Sequence, residues 1–139
     1  MGLFMILNTI AAQTFTNYTA SAASSSLGDN YIRSMAVDNQ GNKWFGTVYG
    51  LIKFNGATWT KYTQSDGLVN TSVSSIVIDS QGHKWIGTDG GVSEFDGTNW
   101  TNYTSADGLA EDQVVSVAID AQNNKWFGSA QKGVTRLSD

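Results

Sequence analysis

One histidine, His83, and a recurring set of carboxylates are the residues of this 139-residue sequence that could move a proton or hold a metal ion. His83 stands in "DSQGHKW", at a place held by Asn42 and Asn124 in two similar stretches. A solvated turn residue is therefore expected there rather than a general base. Asp38, Asp79 and Asp120 recur at one turn position, and Asp66 and Asp107 at another. Repetition predicts a turn-capping role, whereas a catalytic pair should break the symmetry. No "DxDxDG" calcium loop and no "GxxxxGK[ST]" phosphate loop is present, and there is no cysteine for thiolate chemistry or disulfides. Neither a metal nor a cofactor is expected. The Asn17-Tyr18-Thr19 and Asn102-Tyr103-Thr104 sequons read as by-products of a repeat.

That repeat is what must position any site. "DNQGNKWFGT" from Asp38, "DSQGHKWIGT" from Asp79 and "DAQNNKWFGS" from Asp120 place Trp44, Trp85 and Trp126 at 41-residue intervals. A period near 40 with several short strands per unit is the mark of a propeller blade or a similar array. Each unit reads as four strands. Residues 73–79 "VSSIVID" open the second unit, followed by "KWIGT", "GVSEFDG" and "NWTNYT", with a "DGL" turn leading onward. The predicted blades cover about 30–63, 71–104 and 112–139. Trp44 with Phe45, Trp85 with Ile86 and Trp126 with Phe127 should point to opposite faces, because stacked blades bury both sides of a strand. The tryptophans are thus the repeat core. Gly46, Gly87 and Gly128 follow where a neighbouring backbone comes close.

Composition agrees with an all-β fold: 15 glycines, no prolines and many Thr, Ser and Asn suit short strands and tight turns. A net charge of −4 with scattered Lys and Arg argues against a nucleic acid partner. Residues 1–13, "MGLFMILNTIAAQ", form an apolar extension or a secretory-signal remnant, too short to span a membrane.

The "DxxGxxWxGT" core, the "GGV" start of the third strand and the "WTNYTxxDGL" link resemble the two-component regulator propeller repeat, over residues 14–139. The resemblance implies beta-propellers from extracellular sensor regions of bacterial regulators, hence an extracellular or periplasmic location. The chain departs from such sensors in its small number of repeats and in lacking a membrane helix or kinase region. The repeats also loosely resemble a streptogramin-type lyase, whose histidine motif finds no match here.

"TFTNYT" (14–19) precedes the first blade and is related to "TWTKYT" (58–63) and "NWTNYT" (99–104). The third unit runs to "VTRLSD" with its fourth strand unaccounted for. Strand 14–19 is expected to complete a partner's last blade, through Phe15 and Tyr18. Three blades cannot close a ring, since propellers typically have about 4 to 8. A homodimer forming one six-bladed ring is expected, with a fragment of a longer array or a larger ring as the alternatives.

Binding should fall where the repeats differ. Tyr49, Asp89, Gln131 and Lys132 lie in the loops between second and third strands, and Arg33 aligns with Ser74 and Val115. These rim or channel residues suit a carbohydrate, peptide or protein ligand in a non-enzymatic binding or scaffold module. The alternatives are a lyase or hydrolase using Arg33, Asp89, Glu94 or Glu111, and a purely structural or engineered half-propeller.

Overall fold

The computed structural model describes residues 12–20 and 28–138. Residues 1–11, to which most of the expected apolar leader belongs, lie outside that range. The described chain is all-β. β1 (Ser34–Val37), β2 (Lys43–Thr47), β3 (Gly50–Phe54) and β4 (Trp59–Tyr62) form the first sheet. β5 (Val73–Ile78), β6 (Lys84–Thr88), β7 (Gly91–Phe95) and β8 (Trp100–Tyr103) form the second. β9 (Val114–Ile119), β10 (Lys125–Ser129) and β11 (Val134–Leu137) form a third, three-stranded sheet. All pairing is antiparallel and follows chain order, so each sheet is a meander.

The recurring aspartates explain why each unit begins with the same hairpin. Asp38 Oδ1 accepts from the amides of Gln40 and Asn42, and Oδ2 accepts from Trp44 Nε1 at 2.9 Å. Asp79 and Asp120 repeat this with Trp85 (3.0 Å) and Trp126 (2.9 Å). One carboxylate thus closes the turn and satisfies an indole N–H that burial would otherwise leave costly. The "DGL" link is a single 3₁₀ turn, Gln64–Asp66 or Ser105–Asp107, closed by reciprocal bonds between Thr63 and Asp66 or Thr104 and Asp107.

The core lies between sheets. Trp44, Leu51 and Leu68 pack with Val73, Ile76, Ile86 and Phe95 across the first seam. Trp85, Val92 and Leu109 pack with Val114, Val117 and Phe127 across the second. The paired residues of each central strand do point to opposite faces. A Cβ on Gly46 would stand 2.5 Å from Val73 Cγ1, and one on Gly87 would stand 2.9 Å from Val114 Cγ1, so the glycines set how closely the sheets approach. Polar ties cross both seams at one register: the Ile76 amide donates to Ser34 Oγ (2.9 Å), and the Val117 amide to Ser75 Oγ (3.0 Å).

The two outermost faces carry exposed apolar groups, although Tyr18 lies against Phe54 and Trp59 on the first. Trp44 is 1% exposed but Trp126 is 37% exposed; Val134 and Val115 are exposed beside it. On the first sheet, Met35 and Val37 are exposed where Ile76 and Ile78 are covered in the second sheet.

Candidate functional site

The hairpin turns divide the strand ends into two groups. At one end lie Arg33, the β2–β3 turn with Tyr49, the β6–β7 turn with Asp89, and the β10–β11 turn with Gln131 and Lys132. The structure joins two of these. Arg33 Nη1 donates to Ser72 Oγ at 2.9 Å, and that hydroxyl donates to Asp89 Oδ2 at 2.5 Å. The Asp89 amide in turn donates to the Ser72 carbonyl at 3.1 Å. Arg33 therefore bridges the first and second sheets. Its charge faces that of Asp89 through one hydroxyl, and the chain of donors and acceptors suits neutral hydroxyl groups better than a free anion.

The remaining candidates are held separately. The Gln131 amide donates to Glu111 Oε2 (2.9 Å) and the Lys132 amide to Ser129 Oγ (3.0 Å), which fixes the third turn. The Tyr49 ring stands exposed on the first turn, whose backbone is held by Thr47 Oγ1. Phe15 and Tyr18 lie in residues 12–20, which carry no regular secondary structure and pair with no strand among the described residues. Phe15 is 94% exposed, and the Tyr18 ring rests against Phe54 (5.6 Å) and Trp59 (5.9 Å).

Sequence reasoning missed a second cluster, at the opposite end of the strands. The His83 backbone keeps the expected turn role, its amide donating to Asp79 Oδ1. Its ring, however, is only partly exposed, and Nδ1 lies 2.7 Å from Glu94 Oε1. Tyr103 Oη donates to Glu94 Oε2 at 3.1 Å. Burial and the neighbouring Glu94 carboxylate push the Tyr103 phenol up to about 12. The only signal available was that Glu94 stands where the first unit has Lys53, and His83 where it has Asn42. Neither substitution reveals that the two side chains meet. This places Glu94 apart from Arg33, Asp89 and Glu111, so the four groups considered for a lyase or hydrolase do not form one constellation. Among the described residues no group of His, Asp and Glu could hold a metal ion, and no helix is long and apolar enough to cross a membrane.

Comparison with known proteins places this architecture. The extracellular domain of a B. thetaiotaomicron protein assigned to the hybrid two component systems superposes with a TM-score of 0.74 at 19% identity, over 93% of this chain and 19% of that one. PorZ, a surface component of the type-IX secretion system of Porphyromonas gingivalis, matches with a TM-score of 0.65 at 24% identity, over 81% and 18%. Virginiamycin B lyase from Staphylococcus aureus matches with a TM-score of 0.55 at 13% identity, over 78% and 41%. At these identities the likeness is one of fold, and the chain spans under a fifth of the two surface proteins. No curated protein matches it in sequence. A family model, two component regulator propeller, matches residues 26–49 and 67–90, over the first two strands of the first and of the second sheet.

Proposed function

We propose that the chain is a non-enzymatic binding or scaffold module of the extracellular sensor type, and that two copies close one six-bladed ring by exchanging residues 14–19. The observation that carries the assembly is the position of Tyr18. In the first seam Tyr62, the last residue of β4, packs against Phe95 at 5.4 Å and 51° and against Trp100 at 5.8 Å and 61°. Tyr18 packs against Phe54 at 5.6 Å and 52° and against Trp59 at 5.9 Å and 62°. By the 41-residue repeat, Phe54 and Trp59 correspond to Phe95 and Trp100. Tyr18 thus occupies the place of an outer-strand tyrosine belonging to a blade in front of the first.

The remaining contact of such a tyrosine is its stack on a tryptophan of its own blade: Tyr62 on Trp44 (5.9 Å) and Tyr103 on Trp85 (5.8 Å). For Tyr18, the matching surface is the partner's Trp126. The established registers, Leu51 with Tyr62 and Phe54 with Trp59, carry over as Tyr18 beside the partner's Val134 and Phe15 beside the partner's Leu137. Exposed Phe15 would then stack as Trp59 and Trp100 do on Phe54 and Phe95. A head-to-tail contact of this kind closes into a ring when the rotation per unit allows it.

The ring would present Arg33, Tyr49, Asp89, Gln131 and Lys132 on one rim, a hydrogen-bonding surface suited to carbohydrate, with peptide or protein ligands as the other outcomes of a screen. Solution mass tests the assembly: about twice the chain mass is expected, and Tyr18→Ala should shift the population to monomer. A wild-type protein that stays monomeric at high concentration overturns the exchange. A glycan array tests the rim, with binding lost in Arg33→Ala and Tyr49→Ala.

A further inference from the structure

The grooves on the His83 side of the seams are built alike but charged differently. In the first, two lysines share one indole: Lys53 Nζ and Lys84 Nζ lie 5.4 and 5.2 Å from the Trp44 ring centroid. In the second, Lys125 Nζ lies 5.1 Å from the Trp85 ring, in the place of Lys84. The place of Lys53 is taken by Glu94, which pairs with Trp85 across β6–β7 in the register that Lys53 keeps with Trp44. A tethered ammonium has been exchanged for a carboxylate. The Glu94 side chain turns aside to His83 and Tyr103, and a cavity of about 330 Å³ opens, lined by Gln81, His83, Trp85, Glu94, Tyr103 and Lys125 among others.

We infer that this groove binds the primary ammonium group of a small polar ligand, beside Glu94 and over the Trp85 indole, in the place that Lys53 takes over Trp44. The first groove shows that this fold holds two ammonium groups over one indole, so Lys125 does not exclude the second. A cation near an indole face and a carboxylate gains from both. Because a carboxylate only accepts, His83 Nδ1 carries the proton of their bond, and Nε2 remains as the ring's other acceptor when neutral. Glu94 keeps unused lone pairs after accepting from His83 and Tyr103. The volume lies at the small end of ligand pockets, and the lining is polar. The groove lies within one chain and does not depend on ring closure.

The ammonium could come from an amino sugar or from a lysine side chain, and the test separates them. His83 is the only histidine, so its imidazole gives one set of NMR signals to follow. Glucosamine and Nα-acetyl-lysine amide are titrated separately, with glucose and Nα,Nε-diacetyl-lysine amide as neutral counterparts. Saturable shifts of the His83 signals are expected for at least one amine, with its neutral counterpart binding about tenfold more weakly or worse. Glu94→Gln should weaken the amine about tenfold, and Glu94→Lys, which restores the pattern of the first groove, should abolish binding while the fold persists. Equal binding of amine and neutral forms, no saturable shift with either amine, or undiminished binding by Glu94→Lys overturns the inference.

Discussion

At the scale of single residues, one carboxylate repeatedly does two jobs. Removing Asp79 strips the turn amides of Gln81 and His83 of an acceptor and leaves the buried Trp85 indole N–H unpaired. Asp79→Ala should therefore cost about 2–3 kcal/mol in denaturant unfolding, well above a typical surface substitution. At Asp38, burial alone would raise the carboxyl, but the bonds from Asn42 and Trp44 outweigh it and hold the group below the ordinary value. A depressed native carboxyl contributes stability that is present above the unfolded value and lost as pH falls through the native one. Asp38→Asn should accordingly flatten the acid limb of the stability profile. Tyr103 carries the opposite sign: its raised phenol favours the native state below about pH 10 and loses that contribution as pH climbs towards 12. Absorbance titration should show a late phenolate step that disappears in Tyr103→Phe.

At the scale of elements, the meander and its 41-residue phase were legible because "DxxGxxWxGT" carries turn, indole and close approach in one string. The alternation Trp44/Phe45 gives both faces of β2, and Gly46 and Gly87 mark the close sheet contacts. Gly87→Ala should cost about 1–3 kcal/mol, since its Cβ meets Val114 and Val117 together. The link was read as a plain turn, and its 3₁₀ geometry with the reciprocal Thr–Asp bonds was not foreseen. The His83–Glu94 pair was hidden for a different reason. Contacts 11 residues apart across a hairpin depend on register and rotamer, which pattern alone does not supply. Arg33 reaches across a seam to Ser72, a contact that the strand pattern alone does not supply.

At the scale of the whole molecule, the end faces expose residue types that the two seams within the chain bury. Lys84 and Lys125 are buried over the tryptophan of the preceding sheet, the latter only 2% exposed, while their counterpart Lys43 is exposed. On ring closure Lys43 should cover the partner's Trp126. Its fluorescence should then lose quencher accessibility as concentration rises, and Lys43→Glu should weaken self-association about tenfold while leaving the seams within the chain intact. Strand exchange and seam contact make separable predictions: Phe15→Ala acts on the first, Lys43→Glu on the second.

The serine-to-amide tie across each seam has an evolutionary corollary. Ser34 and Ser75 each greet the following sheet with the same hydroxyl, so a tandem copy of any 41-residue cassette arrives with its joint already cut to fit. Lengthening such an array needs no new surface to be invented, only another round of duplication in frame.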